Sequence, residues 1–252
     1  MATAPWQADR PIATDEALEL LGMGELAVRG RLVEASNATL WCELRPPGAR
    51  RSADPAAHAV YKPVRGERPL DDFPEGSLAG REVAAWELSA ALGWRVVPPT
   101  ILRDGPHGEG AVQLWIETDE EEDVFLAILA RDPRLRPIAL FDLIANNADR
   151  KGGHLLPAAG EFHGCDHGIC FATEPKIRTV LWAWQGERLS AAERRDLERL
   201  AADLDGPLGE RLTALLTPDE VAATAARTEA LLRAGRFPAP DRDRRVIPWP
   251  PF

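Results

Sequence analysis

The sequence predicts an α+β fold of two lobes, a small antiparallel sheet with one helix followed by a mainly helical part. Three observations support this prediction. Strand-like alternation is concentrated in residues 25–117, helical periodicity dominates residues 118–236, and one short hairpin pattern interrupts the helices at 155–171. With 252 residues, the chain is long enough to bury a sizeable core in one large domain or two closely packed lobes.

The first elements are a helix and a hairpin. Residues 1–13 show no regular pattern, and Thr14 is the expected cap of the helix DEALELLG that follows. The run 25–44 alternates on both sides of the polar turn Ser36–Thr39, which is typical of two strands joined by a small-residue tip. We therefore predict a hairpin here.

Residues 58–117 complete the predicted sheet and add its helix. HAVYKPV (58–64) is a short β-rich run, and LAGREVAAWELSAALG (78–93) has helical periodicity with a glycine stop. WRVVPPTILRD (94–104) and EGAVQLWIET (109–118) then predict two strands around the turn DGPHG.

The second half is predicted to be helical. EEEDVFLAILA (120–130) places carboxylates in the first turn of a helix, where they complement its dipole, and LRPIALFDLIANN (135–147) is strongly apolar. Capping boxes at Ser190/Glu193 and Thr217/Glu220 begin two further helices. The Pro-rich tail 237–252 is expected to be extended.

Composition excludes several classes of protein. A net charge of −10 argues against a nucleic-acid binder, and no apolar run approaches the roughly 20 residues of a bilayer span, so no integral membrane segment is expected. The cysteines Cys42, Cys165 and Cys170 are too few for a disulfide framework. The start lacks the pattern of a secretory signal. We therefore expect a cytoplasmic protein, and a monomer. A Lys-poor, Arg/Ala/Leu-rich composition is associated with GC-rich bacterial genomes.

The segment 143–171 contains the most specific candidate site. Asp149 and Arg150 follow an apolar stretch, His154 lies five positions after the aspartate, and Asp166 lies beyond a turn and two residues before Gly168. One carboxylate that orients an attacking hydroxyl, followed by groups that hold a divalent ion, is the order that phosphoryl transfer uses.

Upstream segments supply the other parts of such a site. In the hairpin tip, the backbone N–H groups of Ser36, Asn37 and Thr39 and the hydroxyls of Ser36 and Thr39 could contact phosphates. Lys62 lies on an apolar strand, where an ammonium needs a partner. Glu82 and Glu87 are not separated by a helical repeat, so only one faces Lys62, and we favour Glu82.

Together these motifs resemble the phosphatidylinositol 3-/4-kinase superfamily, and most nearly the type II phosphatidylinositol 4-kinases. The motifs that support the resemblance are AVYKP, VQLWIE, NNADR, CDHGICF and LWAWQ. More closely, residues 25–235 resemble an actinobacterial family related to these kinases. The resemblance implies a bilobal protein-kinase-like fold with an N-terminal extension at 1–24, an N-lobe at 25–117, a C-lobe at 118–236 and a tail at 237–252.

The resemblance also implies residue roles, with ATP and a divalent cation (Mg²⁺ or Mn²⁺) as cofactors. Lys62 would bind phosphates and Glu82 would hold that lysine. Asp149, with Arg150, would act on the incoming hydroxyl, and Asp166 would be the chief metal ligand. The strand 112–117 would lead to the hinge that contacts adenine. The expected hinge residues are Gln113, Leu114, Trp115 and Ile116.

The metal motif departs from the family pattern at one position. The family has asparagine as its second metal ligand, whereas this chain has His154. A neutral imidazole suits Mn²⁺, Zn²⁺ or other transition ions better than Mg²⁺, which prefers oxygen. An altered metal preference, weak catalysis, and nucleotide binding without turnover all remain open.

The acceptor does not follow from the motifs. Type II enzymes attach to membranes through a palmitoylated Cys-rich segment, but the corresponding interval here, 65–80, has no cysteine. Related HipA-type toxin kinases phosphorylate protein Ser/Thr. We therefore prefer a hydroxyl of a protein or a small molecule to a phosphoinositide.

Other interpretations of the same residues stay open. Asp149 is also compatible with a solvated loop residue that caps a turn, and Lys62 with a strand-edge lysine whose ammonium reaches water. A catalytically inactive pseudokinase that regulates a partner is compatible with His154. A zinc module is compatible with His163, Cys165 and His167, which would share one face of a continuous strand.

Overall fold

A five-stranded antiparallel sheet and a group of helices make up the fold of the chain. The structure is a computed structural model that describes residues 12–32, 37–50 and 54–252. The order of the strands in the sheet is β1-β2-β3-β5-β4. Their bounds are β1 Glu25–Arg31, β2 Leu40–Arg45, β3 Ala57–Pro63, β4 Thr100–Gly105 and β5 Gly108–Leu114. The prediction of an antiparallel sheet with a hairpin at its start is confirmed.

Two helices cover opposite faces of the sheet. Helix α1 (Thr14–Met23) packs Ala17 and Leu21 into a core that includes Tyr61 of β3. Helix α2 (Leu78–Leu92) packs Val83 against Ala111 of β5 on the other face. Because Lys62 pairs with Ala111 across the β3/β5 ladder, Lys62 lies on the α2 face.

The remaining described residues are mainly helical. The helices are α3 Val124–Ala130, α4 Arg136–Ala145, α5 Ala191–Leu204, α6 Pro207–Thr213 and α7 Pro218–Ala234. Short 3₁₀ helices occupy Val64–Gly66, Pro133–Leu135, Gly152–His154 and Trp182–Trp184. The expected small hairpin is formed by β6 Leu155–Ala158 and β7 Glu161–Gly164. No helix in the described ranges has the length and apolarity needed to span a membrane.

Several element ends differ from the sequence predictions. Ala13, not Thr14, is the N-cap of α1. Strand β4 begins at Thr100 instead of residue 94, because the two prolines at 98–99 cannot donate to a sheet ladder. The acidic run before α3 ends in the N-cap Asp123, whose side chain accepts from Leu126 N, so these carboxylates precede the first turn. The short helix α6 was not predicted.

The capping boxes that begin α5 and α7 are both present. The Ser190 side chain accepts from Glu193 N, the Thr217 side chain accepts from Glu220 N, and each glutamate bonds back to the cap backbone. Glu220 also forms a buried ion pair with Arg81 of α2. This pair links the last helix to the helix that packs on the sheet.

The tail folds back along the helical part. Val246 O accepts from Thr179 N at 3.0 Å and from the Trp182 indole N–H at 2.9 Å. Further along, Pro251 O accepts from Gly152 N at 2.8 Å, and the Phe252 ring lies against the same glycine. The tail therefore contacts Gly152, shortly after Asp149, and Thr179, which is paired with Arg150.

Candidate active site

Three charged side chains meet between the sheet and the helical part. Along β3, residues 57, 59, 61 and 63 are buried, so Lys62 lies on the opposite side of the strand from the apolar core of α1. Its ammonium forms an ion pair with the buried Glu82 of α2 and a 2.9 Å ion pair with Asp166 Oδ1. Glu87 instead pairs with Arg211 at the surface. Of the two glutamates, Glu82 is therefore the one that contacts Lys62.

The three groups shift one another's pKa. Burial alone would lower the pKa of Lys62, but the carboxylates of Asp166 and Glu82 outweigh it and raise that pKa well above its usual range. The Lys62 ammonium holds the pKa of Asp166 far below its usual range. Burial raises the pKa of Glu82, and the Lys62 charge opposes this. Because more than half of the Asp166 side-chain surface is exposed (56%), this carboxylate is accessible to a ligand from solvent.

His154 faces the other oxygen of the same aspartate. Its Nε2 lies 3.6 Å from Asp166 Oδ2. Burial lowers the pKa of His154 despite the neighbouring carboxylate, so the ring is neutral at pH 7. Its Nδ1 is buried and has no hydrogen-bond partner among the described residues. A carboxylate and a neutral imidazole thus point into one space.

Asp166 and His154 could together supply two ligands to a divalent ion that also binds the phosphates of a nucleotide. No cluster of three or more His, Cys, Asp or Glu that could hold a metal occurs in the described ranges. Kinase-type ions are held by one or two side chains together with substrate phosphates and water, so two protein donors suffice. An imidazole donor shifts the fit towards Mn²⁺ and away from Mg²⁺.

Asp149 lies on a loop whose backbone is held in place by a buried hydrogen-bond network. The loop begins where Asn146, in the left-handed region, ends α4. Asp149 N donates to Asn147 Oδ1 at 3.0 Å, and Asn147 Nδ2 donates to Asp142 Oδ1 at 3.0 Å. The Asp149 carboxylate is itself partly exposed and pairs with Lys151 at 3.1 Å. The backbone of Asp149 is thus held in place, while its carboxylate is accessible from solvent.

Arg150 is the buried anchor of this loop. Its guanidinium pairs with Asp142, donates to Cys165 O at 3.0 Å, and has no exposed side-chain surface. Thr179 Oγ1 donates to the second oxygen of Asp142 at 3.1 Å. Because Arg150 is enclosed by protein, this placement favours a positioning role over contact with a substrate.

His163, Cys165 and His167 do not share one face, contrary to the expectation of a continuous strand. Strand β7 ends at Gly164, and Asp166 has a positive φ of 59°, which breaks the alternation. His163 Nδ1 donates to Arg95 O at 2.8 Å. His167 Nε2 lies 2.7 Å from the Arg150 guanidinium, which can only donate, so Nε2 is the acceptor of that bond. The arrangement gives no support to a zinc module.

The predicted phosphate-binding turn is only partly described. Ser36 lies outside the described residues. Asn37 Oδ1 accepts from Arg68 N at 2.9 Å, and Thr39 is buried. Since Leu40 pairs with Tyr61, the hairpin tip extends from the end of the sheet that carries Lys62. A phosphate-binding role for the turn stays a prediction.

The predicted adenine-binding residues lie at the end of β5 and directly after it. The buried Gln113 side chain donates to Thr100 Oγ1 at 2.8 Å. Leu114 N donates to Pro99 O at 2.8 Å and Trp115 N donates to His58 O at 3.0 Å. Two of the four expected residues thus have their backbone donors engaged within the protein. The contact of this segment with adenine, through Ile116 or the carbonyl groups, stays a prediction.

Two functional residues were missed from the sequence. Asp142 looked like one polar residue in an apolar helix, yet it receives bonds from Asn147, Arg150 and Thr179. A buried carboxylate inside a run such as LFDLIA needs a partner, and that requirement was the available signal. Thr179 carried no such signal, because only the fold brings it to Asp142.

Comparisons with known proteins support a kinase-like fold. No family model matches the chain. Protein Rv2133c of Mycobacterium tuberculosis is 40% identical over an alignment of 274 residues that covers 94% of this chain and 96% of that protein.

Two solved structures are similar in fold. A hydra Fam20 structure with sugar has a TM-score of 0.60, 14% identity, and coverage of 93% of this chain and 91% of that one. The Helicobacter pylori proinflammatory kinase CtkA has a TM-score of 0.50, 10% identity, and coverage of 84% and 93%. At these identities the similarity shows a shared, kinase-like fold and not a shared activity.

Proposed function

Since this chain belongs to the same family as Protein Rv2133c of Mycobacterium tuberculosis, and that name states no activity, we propose a function from the site. The chain is an ATP-dependent kinase-like phosphotransferase that transfers a phosphoryl group to a hydroxyl acceptor. A relation to the phosphatidylinositol 3-/4-kinase superfamily and the division into lobes at residue 117 are part of this proposal.

The observation that carries the proposal is the contact of Lys62 with both Glu82 and Asp166. In kinases a strand lysine held by a helix glutamate binds nucleotide phosphates, and the aspartate of the metal motif lies beside it. The chain provides these partners from β3, α2 and the turn after β7, which are distant in sequence. A strand-edge lysine that only reaches water would have no reason to be held by a buried glutamate.

Each residue then has a distinct role. Lys62 binds phosphates and Glu82 orients it. Asp149, on its anchored loop, orients the hydroxyl of the acceptor, while Asp166 and His154 hold a divalent ion. That ion, when bound, neutralises charge on the phosphates. Catalysis rests on positioning and charge neutralisation, and no covalent enzyme intermediate is needed.

The acceptor is proposed to be a hydroxyl of a protein or a small molecule. The segment 65–80 has no cysteine to carry the acyl anchor of type II lipid kinases. No observation in the described structure points to a phosphoinositide. We therefore place the lipid acceptor second.

A thermal-shift experiment tests the proposal. Mn²⁺–ATP is expected to raise the melting temperature of the wild type, because a ligand that binds only the native state stabilises it. Asp166→Ala should lose the shift. Glu82→Gln should weaken it, whereas Glu87→Gln on the same helix should not. No shift with any metal–nucleotide pair would refute the nucleotide site.

A pseudokinase is the second candidate, and His154 is the observation that favours it. If the imidazole impairs the metal site, nucleotide binds without turnover. His154→Asn should then move the metal preference from Mn²⁺ towards Mg²⁺ and raise ATP hydrolysis. Turnover by the wild type in Mn²⁺ would exclude the pseudokinase.

A further inference from the structure

A cavity lies next to the loop that carries Asp149, on the side of the tail. Its volume is about 270 Å³, and its walls come from three separate segments. They are Asp72 before α2, residues 175–178 after the metal motif, and residues 241 and 244–246 of the tail. The cavity is outside the cluster of Lys62, Glu82 and Asp166 described above.

The lining of this cavity is basic in a protein whose net charge is −10. Both acidic residues of the lining are already paired with basic ones, Asp72 with Lys176 at 2.7 Å and Asp241 with Arg244 at 3.4 Å. The other two basic residues, Arg178 and Arg245, form no direct ion pair within the described ranges, although the charge of Arg178 still acts on the nearby Asp72. The cavity is lined by the four basic residues Lys176, Arg178, Arg244 and Arg245. Two guanidinium groups are therefore available to an anion.

Backbone hydrogen bonds connect Arg178, in one wall of the cavity, to the loop that carries Asp149. Arg178 N donates to Asn147 O at 2.9 Å, and Arg178 O accepts from Arg150 N at 2.9 Å. Arg178 thus lies next to the parallel bridge between Arg150 and Thr179, with its backbone bonded to the residues on either side of Asp149. One wall of the cavity is therefore bonded directly to the backbone on either side of Asp149.

We propose that this cavity binds a phosphate group carried by the acceptor, and that the acceptor is a small hydroxyl-bearing phosphate ester. The acceptor assignment rests on the proposed function. Guanidinium groups bind phosphate oxygens through paired N–H donors, and groups from two segments can contact one tetrahedral anion from different sides. The tail closes one side of the cavity, so a compact anion suits it better than an extended acidic peptide.

Direct binding of inorganic phosphate and glycerol phosphate tests the proposal without any need for turnover. Titration calorimetry at constant ionic strength would compare the wild type with Arg178→Gln, Arg245→Gln and the double variant. Each substitution is expected to weaken phosphate binding by about tenfold, since it removes charge-assisted hydrogen bonds. Arg233→Gln, an exposed arginine on α7 in a surface pair with Glu229, is the matched control and should bind like the wild type.

These variants should keep their fold and their nucleotide site. The structural bonds of Arg178 to the loop come from its backbone, and Arg245 is exposed, so neither substitution removes a buried partner. The shift caused by Mn²⁺–ATP should therefore be unchanged in both.

The possible failures are distinguishable. Equal phosphate affinity in the wild type and the double variant, or no measurable affinity in the wild type, overturns the site. Phosphate binding lost in Lys62→Met but kept in the arginine variants overturns it too, because the anion then occupies the nucleotide site. An oligo-glutamate peptide that binds through these arginines more tightly than glycerol phosphate overturns the choice of a small acceptor. Phosphate bound here without any Mn²⁺–ATP shift refutes the kinase proposal, and with it the acceptor assignment.

Discussion

Asp142 and Arg150 form an ion pair in which neither side chain has exposed surface, with 2.9 Å between Asp142 Oδ1 and a guanidinium nitrogen. The pair joins the end of α4 to the loop that carries Asp149. Removal of one partner leaves the other charge buried and unpaired. Such losses are strongly destabilising, whereas intact buried pairs contribute little net stability.

Arg150→Ala and Asp142→Ala are each expected to lower the free energy of unfolding by about 3–5 kcal/mol. The double variant should be less destabilised than the sum of the two, because no unpaired charge remains. Urea unfolding measures all three. Full stability of Arg150→Ala together with lost turnover would show that Arg150 acts on the substrate directly instead of positioning the loop.

Asp149→Asn is expected to lower turnover by about 10²–10⁴-fold, because a hydroxyl is no longer oriented by a carboxylate. ATP hydrolysis in Mn²⁺ measures this without knowledge of the acceptor. The Mn²⁺–ATP thermal shift should remain, since Asp149 does not contact Lys62 or Asp166 in the ion pairs described. Asp219→Asn, an exposed carboxylate in the first turn of α7, is the control. Unchanged hydrolysis in Asp149→Asn would show that Asp149 is a solvated loop residue without a role in turnover.

His163 is expected to make the protein less stable at acidic pH. Burial lowers its pKa in the folded state, so below its ordinary pKa of about 6.5 the unfolded chain binds more protons than the native protein. Stability is therefore lost as pH falls from 7.5 to 5.5, by on the order of 1 kcal/mol for this one group.

The variant His163→Asn isolates that contribution. Its amide can keep the donor to Arg95 O, but it does not titrate. Denaturant midpoints at pH 7.5 and 5.5 should therefore differ less in the variant than in the wild type. The comparison cancels other groups, including Glu82, whose raised pKa acts in the opposite direction. An identical loss in both proteins would contradict the prediction.

Gly152→Ala is expected to loosen the tail. A Cβ at this position would lie 2.0 Å from a ring atom of Phe252, so the ring must move. Since Phe252 is half exposed, the ring can swing outward and the cost in stability should be at most about 1 kcal/mol. Trypsin should then cleave faster at the arginines of 242–245. In a Phe252→Ala background, Gly152→Ala should have no further effect on this rate.

Local patterns predicted much of this molecule. The hairpin at the start of the sheet, the α2 helix and both capping boxes follow from alternation and helix-end chemistry within a few residues. Spacing also indicated that only one of Glu82 and Glu87 faces Lys62, but it did not decide which; the contact with Glu82 comes from the packing of α2 on the sheet.

The rest depends on contacts between distant segments. No spacing rule brings Thr179 to Asp142, or Val246 to Thr179, because these contacts exist only after the helices have packed. The zinc hypothesis failed because it assumed a continuous strand through Asp166, where the backbone turns into the left-handed region. The pairing of the tail with Gly152 had no pattern in the Pro-rich sequence that could have predicted it.

The attachment of the tail at Gly152 and Thr179 has a consequence for native-state hydrogen exchange. Both amides are bonded to tail carbonyls, whereas the Arg150 and Arg178 amides are bonded within the helical part. A terminal segment such as this tail, held by few hydrogen bonds, opens at a lower free energy than the core around it. The Gly152 and Thr179 amides should therefore exchange together as one opening unit, well before those of Arg150 and Arg178. The two sides of the Asp149 loop would then share one opening event, which no unfolding of the sheet or of α4 needs to accompany.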